Sequence, residues 1–121
     1  MITKFEALTA QDPLAAAAET IVRTTQAEIP VLGPQGNVEG FVTRKSVIEG
    51  IAKEQQASPV TDWMAGSAPT VRSGASLEQA LDALNQPGVP AVSVTDETGR
   101  LLGFITRENL GEWIALSVKK E

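Results

Sequence analysis

At 121 residues and a net charge of -5, the chain is long enough for one compact domain, and its ten basic residues are scattered rather than striped, which argues against nucleic acid as a partner. It has no cysteine and no histidine, so disulfides, thiolate and histidine catalysis and the usual zinc sites are excluded. No apolar run approaches the ~18 residues of a membrane span, and the start lacks a signal-peptide pattern, so the sequence predicts a soluble cytoplasmic body that does not itself insert into a membrane.

Residues 5–8 form a short apolar segment. Asp12-Pro13 has helix-start chemistry: Asp12 suits the N-cap, and Pro13 the first helical position, where a missing N–H costs nothing. The alanine-rich stretch 14–24 then sets Leu14, Ala17, Ala18 and Ile21 on one helical face. Residues 28–32 read as a strand, 33–37 as a tight turn and 38–43 as the hairpin partner; Pro30 favours an edge position or a break in pairing. A second helix follows over 44–57, with Val47, Ile48 and Ile51 inward.

Residues 58–62 are too short a separator for a flexible tether, and 60–64 predict one helical turn that seats Trp63 and Met64 on apolar surface. Thr70-Val71 opens a second series. Ser76 and Gln79 form a capping box ahead of Leu77, Ala80, Leu81 and Leu84, and Pro87-Gly88 stops that helix. Strands over 91–95 and 100–106 flank a turn at 96–99, and a last helix over 107–119 carries Leu110, Trp113, Ile114 and Ser117 on its inner side.

The second series copies the first. Gly40-Phe41-Val42-Thr43-Arg44 returns as Gly103-Phe104-Ile105-Thr106-Arg107, and the same gapless offset of 63 pairs Leu14 with Leu77, Ala17 with Ala80, Gly36 with Gly99 and Ile51 with Ile114. An internal repeat of this length fixes the architecture. The prediction is an α/β (α+β) fold of two β-α-β-β-α units, residues 1–57 and 67–121, joined by 58–66. The two share one core, because either half alone would be marginal.

Each copy of the motif is a strand running into a helix opened by threonine. Outward N–H groups and the helix dipole suit such a junction to an anion, which makes Thr43 with Arg44, and Thr106 with Arg107, candidate sites. The arginines, in a first helical turn, oppose the dipole and so hint at an anionic partner. The same threonines would also serve as plain caps worth ~1 kcal/mol. Asp96 and Glu97 admit a metal-pair reading beside ordinary turn chemistry.

The element order, with Gly-apolar-apolar-Thr closing each hairpin, resembles the cystathionine-beta-synthase (CBS) domain over residues 5–119. The resemblance implies a tandem regulatory module rather than an enzyme, its units packed as a pseudo-twofold pair by their sheets, with two clefts that take an adenosine nucleotide such as AMP, ADP or ATP, no required cofactor and no metal. It also implies a homodimer. Ligand contacts would come from Thr43, Arg44 and Ser46 in the first cleft and Thr106, Arg107 and Asn109 in the second, with Ile29 and Thr70 as further ligand-binding positions. Trp63 and Trp113 would be adenine-stacking faces or, alternatively, core and interface anchors.

The family's aspartate, three residues after the threonine, is replaced by Ser46 and Asn109. A carboxylate accepts from both ribose hydroxyls, whereas asparagine offers one neutral oxygen and serine is shorter, so binding should be weaker and the second cleft the better one. The same departure motivates an alternative, a ligand-free dimerisation or docking module using Trp113. Residues 23–31 and 108–113 resemble, more narrowly, the CBS pair at the cytoplasmic C-terminal end of some site-2-type, M50-like intramembrane metalloproteases. This implies that the chain is the regulatory part of such a protein, since it lacks the His-Glu-x-x-His motif.

Overall fold

The computed structural model describes residues 2–65 and 68–109. In chain order the elements are β1 (Leu8–Thr9), α1 (Leu14–Thr24), β2 (Glu28–Leu32), β3 (Val38–Thr43), α2 (Arg44–Ala52), a 3-10 turn (Val60–Trp63), β4 (Thr70–Arg72), α3 (Leu77–Leu84), β5 (Val92–Thr95) and β6 (Leu101–Ile105). Residues 107–109 are helical. The inner side predicted for the last helix, including Trp113, lies outside the described residues.

The repeat is reproduced down to the irregularities of the sheets. Each unit has a three-stranded sheet, ordered β1-β2-β3 and β4-β5-β6, with a parallel first pair and an antiparallel second pair. Ile29 faces Val42 as Val92 faces Ile105, and a bulge at Val31/Leu32 recurs at Val94/Thr95. Gly36 and Gly99, at φ of 81° and 87°, hold the left-handed turn position that glycine adopts without strain. Pro30 lies in a central strand, not at an edge; β1 reaches only Val31 and Leu32, so the proline is outside the parallel ladder.

Two helix ends differ from the sequence expectation, and one loop explains both. Asp12 does not cap α1. Its carboxylate accepts from the Thr9 N–H at 2.9 Å, and Pro13 takes the N-cap position. The first N–H groups of the helix donate instead to carbonyls from beyond α2, Leu14 to Ser58 at 2.8 Å and Ala15 to Gln56 at 3.0 Å. For those carbonyls to arrive there, α2 must stop at Ala52 rather than run to residue 57. It does so through Glu54 in a left-handed conformation, φ 58°, with the Gln55 N–H closing back on Gly50.

Among the described residues the core is not one body, as the repeat suggested, but two clusters and a bridge. Leu8, Leu14, Ala17, Ile29, Val31, Val42, Val47 and Val60 pack within the first unit. Ala80, Leu84, Val89, Val92, Val94 and Ile105 pack within the second. Between the units, Phe41 and Phe104 pack together with Ala91, covered by Ile2, Phe5 and Val38. The rings of Phe41 and Phe104 are 5.4 Å apart. They are repeat equivalents, and equivalent residues meet where they lie beside a twofold axis relating the units.

Candidate functional site

Both threonine junctions form as caps. Thr43 is the N-cap of α2; its hydroxyl accepts from the Ser46 N–H at 3.2 Å and lies 3.1 Å from the Ser46 hydroxyl. Thr106 accepts from the Asn109 N–H at 3.1 Å and is 6% exposed. The positions predicted to hold a ribose, Ser46 and Asn109, are thus drawn to their threonines at the helix start. Each threonine lies two residues past one of the touching phenylalanines, so the two junctions flank the aromatic bridge.

The arginines do something the sequence did not suggest. Arg44 donates from Nη2 to the carbonyl of Thr25, the left-handed C-cap of α1, at 3.0 Å. Arg107 donates to the carbonyl of Leu84, the last residue of α3, and to that of Val89. In each unit the arginine at a helix start therefore latches onto the carbonyl end of the preceding helix or the loop beyond it, where the dipole favours a cation. Opposing one dipole is offset by satisfying another. A guanidinium has five N–H donors, and Arg107 uses two of them on these carbonyls.

Ile29 is fully buried in the first core, paired across the ladder with Val42. Thr70 is exposed at the start of β4, opposite Ser93, which in turn faces Phe104. Trp63 packs beside Gly50 at the far end of α2 from Thr43, with Lys53 Nζ 5.9 Å from its ring centroid; it is an anchor of the first core. Asp96 is spent on its own turn, accepting from the Thr98 N–H and hydroxyl and from the Arg100 N–H, which holds its carboxyl below the usual range. Among the described residues no group of three or more acidic side chains is placed to hold a metal ion, and no helix is long and apolar enough to cross a membrane.

The residue that sequence reasoning missed is Glu28. Half-buried at the start of β2, it has a carboxyl raised above its ordinary value, first by burial, then by the charge of Glu108 from the other unit, against the pull of Arg44. Glu28 stands directly across the ladder from Thr43, so the first junction has a carboxylate beside its arginine. At the repeat offset Glu28 becomes Ala91, so the second junction lacks this strand carboxylate, while Glu108 stands next to Arg107 in the second junction itself. Comparing unmatched charges across the repeat would have revealed this difference.

A family model for the CBS domain matches residues 1–53 and 60–115. Among curated proteins no sequence matches significantly. The fold is similar to that of Staphylococcus aureus OpuCA at TM-score 0.72 and 24% identity, covering 94% of this chain and 95% of that one. A hemolysin-like protein containing a CBS domain from Oenococcus oeni PSU superposes at TM-score 0.81 with 17% identity, over 93% of this chain and 84% of that one. CBSX2, in a structure solved in complex with AMP, is similar at TM-score 0.75 and 23% identity, over 98% and 94% of the two chains.

Proposed function

Because the chain belongs to the CBS-domain family, as two tandem copies, we propose that it is a regulatory sensor whose second junction binds an adenosine nucleotide of the AMP, ADP or ATP type. The observation that carries this reading is the asymmetry of charge. A phosphate at the Thr43 junction would meet the carboxylate of Glu28, across the ladder from Thr43, whereas the equivalent position at the Thr106 junction is Ala91. The Asn109 N–H is bonded to Thr106 at the helix start, and Arg107, whose latch uses two of its five N–H donors, keeps others for a phosphate. The AMP complex of CBSX2 supports the ligand class. Binding would act on an attached or partner protein by favouring one packing of the two units over another, to the extent of its differential affinity.

The test restores what the sequence lacks. Asn109→Asp supplies the carboxylate for the ribose hydroxyls; exchanging a neutral for a charge-assisted hydrogen bond is worth ~1 kcal/mol, or about fivefold in affinity. Titration calorimetry with AMP, ADP and ATP should show tighter binding for Asn109→Asp and a smaller gain for Ser46→Asp, whose cleft keeps Glu28. Equal gains in both variants would defeat the charge argument. No binding by any of the three proteins would favour the second reading, a ligand-free docking module, which the arginine latches support because they give both basic residues a role without a ligand.

For the effector, the likeness of residues 23–31 and 108–113 to metalloprotease-linked pairs supports a membrane protease in the same parent protein, with this chain on its cytoplasmic side. An open reading frame lacking any His-Glu-x-x-His segment would end that part of the proposal.

A further inference from the structure

Exposure alone marks no site in this molecule. Ile48, which helical periodicity places inward with Val47 and Ile51, is 62% exposed, and nothing in the structure shows what would cover it. Leu77 at the start of α3 is 40% exposed, and there the repeat shows the cover, because its counterpart Leu14 is fully buried. Beside Leu77 is an open concavity of about 280 Å³ whose walls include Val71, Ala75, Ala80, Val94 and Ile105.

In the first unit the same place is full. Leu8, Leu14, Ala17, Val31 and Val42, the counterparts of Val71, Leu77, Ala80, Val94 and Ile105, pack in one cluster with the fully buried Val60. Asp12, the counterpart of Ala75, accepts the Val60 N–H at its backbone carbonyl, 2.8 Å away. The loop that presents this carbonyl is copied as well: the Asp12 N–H closes on Thr9 at 3.0 Å, and the Ala75 N–H on Arg72 at 2.9 Å. The second unit therefore carries both parts of the seat that holds Val60, an apolar wall and a carbonyl.

The path of the chain says what belongs there. Val60 lies in the 3-10 turn that leads into the second unit, yet it packs in the first, and beyond it the Ala65 N–H donates to the carbonyl of Phe41 at 2.9 Å. At the offset of 63, Ala65 becomes Ile2 and Phe41 becomes Phe104, and the Ile2 N–H donates to the Phe104 carbonyl at 2.8 Å. The leading segment of each unit is thus fastened to the other unit. The position that corresponds to Val60 falls as far before Ile2 as Val60 falls before Ala65. One requirement differs between the seats. α1 takes the Ser58 carbonyl for its first N–H, whereas α3 is served by its own Ser76–Gln79 capping box, so the second seat asks only for an aliphatic side chain and one backbone N–H.

We propose that the concavity between α3 and the β4-β5-β6 sheet is a docking seat for a polypeptide segment joined ahead of Ile2. An aliphatic side chain at the position corresponding to Val60 enters it, and the N–H of that residue donates to the Ala75 carbonyl. A body joined at that end is then held against the second unit by the contact that this chain already uses on its first. The seat makes no use of the threonine junctions, so it stands or falls apart from nucleotide binding.

Extending the full chain tests it. Adding Ser-Pro-Val-Thr-Asp-Ala ahead of Met1 copies residues 58–63, with alanine for the tryptophan so that the valine alone is examined; a control extension carries aspartate in place of that valine. Comparing the two extended chains cancels any general effect of added length. The valine form should unfold about 5 °C or more above the control, as burial of one aliphatic side chain predicts, and the gain should not depend on protein concentration. Its valine amide should exchange with solvent at least about tenfold more slowly than the aspartate amide of the control, after correction for intrinsic rates. Leu77→Asp should remove the difference between the two forms. Equal midpoints, or a gain that survives Leu77→Asp, would overturn the proposal. So would a gain that grows with concentration, which would mean that the extension seats in a second copy. Should Leu77→Asp not fold, nuclear Overhauser contacts between the added valine methyls and Ile105 decide: their presence supports the seat and their absence overturns it.

Discussion

Replacing Gly50 by alanine sets two effects of opposite sign against each other. In a helix interior alanine is favoured over glycine by ~0.5–1 kcal/mol, so the change stabilises wherever there is room. At Gly50 there is none. An added Cβ would lie 2.1 Å from Leu14 Cδ2 and 3.3–3.4 Å from the Trp63 ring. Leu14 is fully buried, and its backbone is tied to Ser58 at 2.8 Å, so relief requires repacking its side chain. Overpacking of this kind costs ~1–3 kcal/mol, leaving a net loss of ~1–2 kcal/mol.

For 121 residues the unfolding entropy is ~0.25 kcal/mol/K, so the thermal midpoint should fall by ~4–8 °C. Calorimetry of Gly50→Ala, Leu14→Ala and the double variant isolates the cause. Leu14→Ala alone should cost ~2–5 kcal/mol, but with the opposing methyl gone Gly50→Ala should become neutral or stabilising, a coupling of ~2 kcal/mol. A higher midpoint for Gly50→Ala alone would refute the argument.

Two other outcomes follow from the same geometry. Glu28 binds its proton more tightly folded than unfolded, so its contribution to stability falls as pH rises from about 4.5 through its raised folded value. Glu28→Gln should therefore raise the unfolding midpoint near pH 7 and change it little near pH 4, as thermal scans across pH would show; a drop at neutral pH would mean that its pull toward Arg44 dominates. Phe104→Ala removes the ring that touches both Phe5 and Phe41 and should cost ~3–5 kcal/mol in urea unfolding. A loss below ~1 kcal/mol would mean that the two units scarcely depend on the aromatic bridge.

What the sequence revealed of this fold is what local chemistry and the repeat could carry. The Ser76 capping box involves residues three apart and forms as read, with both reciprocal bonds present. The 63-residue offset carried the strand pairing of one unit onto the other, including the bulge. The cap of α1 was misread because its partners, Ser58 and Gln56, lie some forty residues away. Ile48 was misplaced because periodicity says which residues share a face, while only α1 decides how far around α2 the cover extends. At the candidate site the threonines were legible as caps. The arginine latches and the meeting of Glu28 with Glu108 were not, since they depend on helix ends and units brought together by the fold.

The first described residue is not fastened to its own unit. The Ile2 N–H donates to the carbonyl of Phe104 at 2.8 Å and its carbonyl accepts from the Phe104 N–H at 3.0 Å, so the start of the first unit is sewn to β6 of the second. Mechanically this makes a lever. Tension on any segment joined ahead of Ile2 would be borne by β6, which ends at Ile105 directly before Thr106, and would reach the Thr43 junction less directly, through contacts such as the aromatic bridge. A body tethered at that end would load the strand that runs into Thr106, ahead of anything in the first unit.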